Sequence, residues 1–161
     1  MKIAVCPGSF DPITVGHLDI IKRTAKIFDK VIVLVAVNPQ KTASFTPLER
    51  MDLIRRCITG LDNVAVDMCE GLIVDYVERV GAGAVVKGLR AMTDFEYEFQ
   101  MALINRSISG GVETVFMNAA AEHMYLSSSA VKQVAYYGGD ISAFVPPEVH
   151  EEIKKRLTYS R

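Results

Sequence analysis

The segment Pro7 to His17, which contains two glycines and two prolines, lies between a short apolar segment and the first amphipathic segment of the chain. Small residues such as Gly8 and Gly16 let backbone N–H groups approach a phosphate, and the start of a following helix adds positive potential. His17 then places an imidazole beside any phosphate bound there. The segment is typical of a site for a phosphorylated ligand. The alternative is an ordinary strand-to-helix turn in which His17 only caps the helix or packs.

Other groups suited to anions occur later in the chain. Lys41 follows the second predicted strand, and Lys87 and Arg90 flank a glycine turn after the fourth. Arginine offers a bidentate fork to such ligands. The serines 127–129 open a predicted helix, where hydroxyls and free N–H groups can bind phosphate oxygens. Each feature also has a plain structural interpretation: a solvated lysine, a surface turn and a simple helix cap.

The elements that must position these residues alternate between strands and helices. Strands are predicted at 2–6, 30–37, 64–68, 84–87 and 113–117, and helices at 16–28, 47–59, 72–80, 94–107 and 127–137. Residues 46–49 form a capping box with proline at the first helical position, and Asp94 can cap the fourth helix. Gly138-Gly139 ends the fifth helix, and Pro146-Pro147 opens a terminal helix. This pattern predicts an α/β fold, a Rossmann-like doubly wound sheet of five mainly parallel strands with helices on both faces and a C-terminal helix. Ligands of such sheets bind beyond the carboxyl ends of the strands.

Composition restricts the class of protein. The 161 residues, half of them apolar and 23% charged, predict one domain over 1–161. A net charge of −1 argues against nucleic acid as the main partner. The longest clear apolar run, 31–37, is far shorter than the ~20 residues that cross a membrane. Three cysteines without CxxC spacing, and no signal peptide pattern, favour the cytoplasm. The absence of GxGxxG after the first strand and of a Walker A sequence disfavours dehydrogenases and P-loop NTPases.

The chain resembles the phosphopantetheine adenylyltransferases, a family within the nucleotidylyltransferase superfamily that carries a (T/H)xGH signature. The resemblance covers essentially the whole sequence. It is carried by PGSFDPITVGH at 7–17, FTPLER at 45–50, KGLRAMTDFEYEFQMALINR at 87–106, LSSSAVKQVA at 126–135 and GGDISAFVP at 138–146. The TxGH motif alone indicates the superfamily, whereas the DFEYE stretch together with the three serines is specific to the family.

The resemblance implies transfer of the adenylyl group of ATP to 4'-phosphopantetheine in coenzyme A biosynthesis, with dephospho-coenzyme A and pyrophosphate as products. Mg²⁺ would accompany ATP, held mainly by phosphates and water, so no protein metal ligands are expected. A homohexamer is also implied, and two apolar stripes on the helix that follows Arg90 agree with an oligomer. The stripes are Phe95, Phe99, Ala102 and Leu103, and Tyr97, Met101, Ile104 and Ile108. Alternatives are a sister nucleotidylyltransferase with another phosphorylated acceptor and a nucleotide-binding regulator without catalysis.

By the same resemblance, the catalytic residues are Ser9, His17, Lys41 and Arg90. The acceptor-binding residues are Ser9, Lys41, Leu72, Ile73 and Lys87. The ATP-binding residues are Ser9, Phe10, His17, Gly88, Leu89, Arg90, Glu98, His123, Met124, Tyr125, Leu126, Ser127, Ser128 and Ser129. Ser9 stands where threonine is frequent, and Lys87 stands where arginine is frequent, which loses the bidentate fork. Residues 123–125 replace a frequent tryptophan-containing triplet, so adenine contacts are expected from backbone there.

Overall fold

The computed structural model describes residues 1–40 and 42–159, apart from the side chain of Thr93. Strands and helices alternate along this part of the chain, as the sequence predicts. The strands are β1 (Ile3–Gly8), β2 (Lys30–Val37), β3 (Val64–Glu70), β4 (Ala84–Leu89) and β5 (Glu113–Asn118). The helices are α1 (Val15–Ala25), α2 (Pro47–Cys57), α3 (Ile73–Arg79), α4 (Met92–Ile108), α5 (Ser128–Tyr136) and α6 (His150–Leu157), with a 3-10 turn at Ala121–His123.

The five strands form one parallel sheet in the order β3-β2-β1-β4-β5. The chain moves outward from β1 to β3 and then returns to the other side of β1, so the order reverses between β1 and β4. Sheets of this type bind ligands at that reversal. β2 and β3 share seven register pairs, whereas β1 and β4 share two among the described residues, Ala4–Ala84 and Val5–Val85. Beyond Val5 and Val85 the two strands diverge, and a cleft opens between them.

Pro7 lies in this central strand, where proline is normally excluded because it lacks an N–H for the ladder. It pairs with Leu34 of β2 on one side and faces the diverging β4 on the other. The divergence therefore removes the ladder that a proline would have broken.

Alternate side chains of β2 are buried on opposite faces of the sheet. Val33 and Val35 pack in a core with residues of α1, α2, α5 and α6, while Ile32 and Leu34 pack with Tyr76 and other residues of α3. Burial on both faces explains why β2 is a continuous β-branched run rather than an alternating one. α4 packs against β5, where the rings of Phe95 and Phe116 meet edge to face at 5.8 Å. Within the described residues, no helix combines the length and apolar character that crossing a membrane requires.

Two helix ends follow the sequence prediction closely. At the start of α2, Thr46 Oγ1 accepts the backbone N–H of Glu49, whose carboxylate accepts the N–H of Thr46, with a proline in the first turn. α5 ends before Gly138, which has φ +78°, and Gly139 donates its N–H to Val134 O. A Cβ on Gly139 would lie 2.6 Å from Val134 Cγ1, so a larger residue there would force Val134 to shift.

Other boundaries differ from the prediction. α4 begins at Met92 rather than Asp94, because Ala91 occupies the cap position and the Asp94 carboxylate bonds to Arg90 instead. The terminal helix begins at His150, since Pro146 and Pro147 form a preceding turn whose carbonyls accept the N–H groups of residues 149 and 150. α1 begins at residue 15, one residue earlier than predicted, and β3 continues to residue 70.

Candidate active site

The cleft between β1 and β4 has a volume of about 530 Å³. It lies at the carboxyl ends of these strands and is closed by the starts of α1, α4 and α5. Its walls come from four separate segments of the chain. They are Cys6, Pro7, Gly8, Ser9, Phe10, Thr14, Gly16, His17, Ile20 and Ile21 of the first, Val86, Lys87, Gly88, Arg90, Asp94, Tyr97 and Glu98 of the second, Ala119 and His123 of the third, and Leu126, Ser127, Ser128 and Ser129 of the fourth.

Thr14 and His17 form a reciprocal cap at the start of α1. Thr14 Oγ1 accepts the backbone N–H of His17 at 3.3 Å, and His17 Nδ1 accepts the backbone N–H of Thr14 at 3.1 Å. An Nδ1 that accepts a hydrogen bond carries no proton, so the neutral imidazole holds its proton on Nε2. The ring of Phe10 packs edge-on against the imidazole, with centroids 5.1 Å apart. His17 thus caps the helix and also presents an N–H donor at the cleft.

The protonation state of His17 is set by its surroundings. Burial, followed by the positive charges of Arg90 and Lys87, lowers the pKa of its imidazole to about 4. All three effects disfavour the charged ring. The imidazole is therefore neutral at physiological pH and acts in the cleft as a hydrogen-bond donor rather than as a cation.

Two cations on β4 and the turn after it face the cleft. Arg90 donates from Nε and Nη2 to the Asp94 carboxylate at 2.9 and 3.2 Å, and from Nη1 to the carbonyl of Leu126 at 2.8 Å. Lys87 Nζ lies 3.1 Å from the Glu98 carboxylate. Both carboxylates come from the first two turns of α4. They set the positions of the cations, whose N–H groups not used in these pairs remain as charged donors for an anionic ligand.

The start of α5 supplies hydroxyls and free backbone donors. Ser127 caps the helix by accepting the N–H of Ala130 at 3.1 Å, while Ser128 donates its hydroxyl to the carbonyl of Pro12 at 2.7 Å. Ser129 also lines the cleft. The three serines therefore divide their tasks: one caps the helix, one fixes the loop of the first segment, and their shared helix start faces the ligand space. Such a helix terminus is suited to phosphate oxygens.

The loop after β1 is held by buried contacts outside the cleft. The Asp11 carboxylate is buried and accepts the backbone N–H groups of Ser44 and Phe45 at 2.9–3.1 Å, and it pairs with Lys132 of α5. The buried Arg50 of α2 donates from Nη1 to the carbonyl of Ser9 at 2.8 Å. These contacts join the β1–α1 loop to α2 on one side and to α5 on the other.

Most predicted site residues meet at this cleft. The structure brings together Ser9, Phe10, His17, Lys87, Gly88, Arg90, Glu98, His123, Leu126, Ser127, Ser128 and Ser129. Five others lie beside it or away from it. Leu89 ends β4, Met124 and Tyr125 are exposed next to the 3-10 turn, and Leu72 and Ile73 lie at the start of α3 beyond β3. Lys41 lies outside the described residues, so its assignment stays a prediction.

Several residues of the cleft and its supports are not singled out by the sequence. The sequence predicts Asp94 only as a helix cap and Tyr97 only as part of an apolar stripe, whereas both line the cleft. The i, i+4 spacing of Arg90 and Asp94 is a signal that could have identified their pairing. Thr14-x-x-His17 has the spacing of a capping box, with histidine where glutamate or glutamine is usual. For Asp11 no local signal exists, because its partners lie 33 to 121 positions away.

The donor set indicates which chemistry the cleft can support. A neutral N–H donor, two cations, serine hydroxyls and a helix start all suit phosphate oxygens. The two cleft carboxylates, Asp94 and Glu98, are engaged in ion pairs. Throughout residues 1–40 and 42–159, no cluster of three His, Cys, Asp or Glu side chains is arranged to hold a metal ion. The arrangement fits a nucleotide polyphosphate better than a hydrolytic metal centre.

Comparison with known proteins agrees with this geometry. Residues 5–134 match the family model described as cytidylyltransferase-like, which includes the cleft segments up to α5. The fold recurs in a bifunctional NMN adenylyltransferase/ADP ribose pyrophosphatase from Francisella tularensis, with a TM-score of 0.70, 16% identity and coverage of 96% of this chain and 48% of that one. A solved protein from Vibrio parahaemolyticus covers 98% of both chains at a TM-score of 0.70 and 21% identity. The fold, the cleft and the match to the cytidylyltransferase-like family together define a nucleotidyltransferase.

Curated relatives specify the family. Proteins named phosphopantetheine adenylyltransferase match from Clostridium perfringens, at 50% identity over all of this chain and 98% of theirs, and from Clostridium tetani, at 53% identity over 97% and 98%. A third, from Caldanaerobacter subterraneus subsp. tengcongensis, is 48% identical over 99% of this chain and its own full length. The chain belongs to the phosphopantetheine adenylyltransferase family.

Proposed function

We propose that the protein transfers the adenylyl group of ATP to 4'-phosphopantetheine and releases dephospho-coenzyme A and pyrophosphate. Full-length similarity to relatives of that name supports the choice of reaction. The observation that carries the chemistry is the neutral His17, whose Nε2–H faces the same cleft as Arg90 and the start of α5. That combination serves a reaction in which phosphate charge is moved rather than a proton.

The acceptor phosphate can act as nucleophile without a base. A phosphate monoester has a second pKa near ~6, so it is largely ionised at pH 7. One of its oxygens forms a bond to the α-phosphorus of ATP while the bond from that phosphorus to the bridging oxygen of pyrophosphate breaks. The protein must bring two anions together and hold the charge that is redistributed. A neutral imidazole donor fits this task, since there is no essential proton for His17 to remove.

The cleft residues divide naturally between the transferred group and the leaving group. Ser9 and His17, on the loop after β1, would hold the α-phosphate, and Lys41 would hold the acceptor phosphate. Arg90 and the serines of α5 would hold the β- and γ-phosphates as pyrophosphate departs. This division follows from the positions of the segments: β1 lies between β2, which precedes Lys41, and β4, which precedes Arg90.

The way in which the cleft would accommodate Mg²⁺ follows from its ion-paired carboxylates. Because Asp94 and Glu98 are paired with Arg90 and Lys87, the cleft is suited to Mg²⁺ that arrives on ATP and is held by phosphate oxygens and water. When bound, the ion would neutralise charge on the triphosphate. No protein cage is needed for that role.

Assembly and location are part of the same proposal. α4 leaves Phe99, Leu103, Ile104 and Ile108 at least 40% exposed on the surface of a single copy. We propose that further copies of this chain cover this face, in a homohexamer. The three cysteines are free thiols, which suits the reducing cytoplasm as the place where the enzyme works.

Turnover with a panel of acceptors tests the function. Purified protein would be incubated with ATP, Mg²⁺ and one acceptor at a time: 4'-phosphopantetheine, nicotinamide mononucleotide or a polyol phosphate. Pyrophosphate release and the adenylylated product would be measured together. Dephospho-coenzyme A formed in preference to the other products is expected. Preference for another acceptor would identify a sister nucleotidyltransferase, and ATP binding without pyrophosphate release from any acceptor would identify a regulator.

A further inference from the structure

Arg90 is held by more contacts than a simple surface pair requires. The Asp94 carboxylate accepts three hydrogen bonds from it: the backbone N–H at 3.2 Å, Nε at 2.9 Å and Nη2 at 3.2 Å. Nη1 donates to the carbonyl of Leu126 at 2.8 Å, one residue before the cap of α5. A guanidinium has five N–H donors. Three are engaged here, so one donor on Nη1 and one on Nη2 remain for a ligand.

These contacts connect two walls of the cleft. Asp94 lies on the first turn of α4, and Leu126 precedes the serines that open α5. Arg90 therefore spans from the β4–α4 turn to the phosphate-binding start of α5. The ionised state of Asp94 agrees with the pairing: burial is the largest single influence and opposes its charge, but the hydrogen bonds and the positive charge of Arg90, with a backbone N–H, together lower the pKa of the carboxyl.

We propose that Asp94 is a positioning residue that fixes the Arg90 guanidinium so that its two remaining donors meet the leaving pyrophosphate. The role of Arg90 in adenylyl transfer, on which the proposal rests, gives this orientation its value. A donor that is already aligned needs no reorganisation as charge develops on the leaving group. A free arginine side chain would have to lose rotamer freedom at that moment.

The effect of removing the Asp94 charge distinguishes alignment of the Arg90 guanidinium from electrostatic attraction of ATP. Asp94 partly neutralises Arg90, so it does not strengthen the pull of the cleft on ATP. Its removal leaves the positive charge of Arg90 in place and takes away the alignment. Asp94→Asn is therefore expected to lower kcat about 10-fold while KM for ATP stays within about 3-fold of the native value. If Asp94 instead affected ATP binding through its charge, Asp94→Asn would change the KM for ATP more than kcat.

A double-mutant cycle tests whether Asp94 acts through Arg90. The kcat for dephospho-coenzyme A formation and the KM for ATP would be measured for the native protein, Asp94→Asn, Arg90→Ala and the double variant, each verified as folded by thermal melt. If the proposal holds, Asp94→Asn changes kcat less than about 2-fold in the Arg90→Ala background. An undiminished 10-fold loss in that background would overturn it. Asp94→Glu keeps a carboxylate at the helix start but displaces it by one methylene, so this variant should also lower kcat.

A matched control is present on α1. Asp19 pairs with Arg23 at 3.1 Å with the same i, i+4 spacing, and Arg23 Nη1 likewise donates to a backbone carbonyl, that of Asn118, at 2.8 Å. Neither residue lines the cleft. Asp19→Asn should leave kcat unchanged; a loss equal to that of Asp94→Asn would also overturn the proposal. If the native protein forms no adenylylated product, the proposed function fails; if it does and Asp94→Asn behaves normally, only the role of Asp94 fails.

Discussion

The backbone N–H of Thr14 donates to Nδ1 of His17, and the backbone N–H of His17 donates to the hydroxyl of Thr14. This pair of bonds caps the start of α1 and at the same time selects the tautomer of the imidazole. The same contact therefore stabilises the helix start and sets which ring nitrogen of His17 carries the proton. The remaining proton lies on Nε2, where it can be donated to a phosphate oxygen in the cleft.

Replacing His17 should affect turnover much more than ATP binding. His17→Ala removes a donor that strengthens its bond as charge moves on the α-phosphate, and loss of one such donor typically lowers kcat by about 10²–10³. ATP affinity, measured by calorimetry, should fall far less. His17→Gln, which retains an N–H donor, should recover part of the rate. A folded His17→Ala protein with near-normal kcat would show that His17 only caps the helix.

Stability should depend on pH through the same residue. The pKa of His17 is about 4 in the folded protein and near ~6.5 in an unfolded chain, so between these values only the unfolded chain takes up the proton. Stability from this group is complete above pH ~6.5 and is lost as the pH falls toward 4. Urea unfolding at pH 7.5 and pH 5 should show about 2 kcal/mol more loss for the native protein than for His17→Gln. Equal losses would contradict a neutral, desolvated imidazole.

Asp11 should be important for stability. Its buried carboxylate holds the N–H groups of Ser44 and Phe45 and pairs with Lys132. Asp11→Ala leaves these donors without their acceptor and should lower the free energy of unfolding by about 3–5 kcal/mol. The exposed Asp52, 3.7 Å from an arginine, is the control: Asp52→Ala should cost less than about 1 kcal/mol in the same urea titration. Similar costs for the two variants would mean that the buried network is not stabilising.

Lys41→Ala should weaken binding of the acceptor rather than binding of ATP. Lys41 follows β2, whereas the groups assigned to the triphosphate follow β4 and open α5. Loss of a hydrogen bond to a charged phosphate typically weakens binding by about 10-fold or more. Calorimetry should show this loss for 4'-phosphopantetheine and little change for ATP. Lys26→Ala, at the opposite end of α1 from the cleft, should bind both normally; equal losses for both ligands in Lys41→Ala would refute the division.

The apolar face of α4 should be covered in solution. Light scattering at micromolar concentration is expected to give a mass several times that of one chain. Leu103→Glu places a charge on the proposed contact and should shift the mass downward. Ile27→Glu changes a similarly exposed apolar residue in the turn after α1 and should leave the mass unchanged. Native particles of single-chain mass would refute the oligomer.

The sequence predicts the parts of this protein that depend on local patterns. The alternation of strands and helices, the cap at Thr46 and the stop at Gly138 are local signals, and the structure contains all three. The gathering of most predicted site residues also follows, because parallel strands end at one edge of the sheet. The contacts of Asp11 could not be predicted, since they join residues that are distant in the chain. The pairing of Asp94 with Arg90 is not predicted, because an acidic residue near a helix start is ordinarily interpreted as a cap.

The short seam between β1 and β4 has a mechanical consequence. Among the described residues, two register pairs between β1 and β4 connect the half of the sheet that holds β1, β2 and β3 to the half that holds β4 and β5. A change in the width of the cleft therefore disturbs few hydrogen bonds, whereas bending within β2 and β3 would disturb seven register pairs. A ligand that reaches from Ser9 to Arg90 would act as a brace across this seam. We expect the sheet to be stiffer when both substrates are bound across the cleft than when they are not.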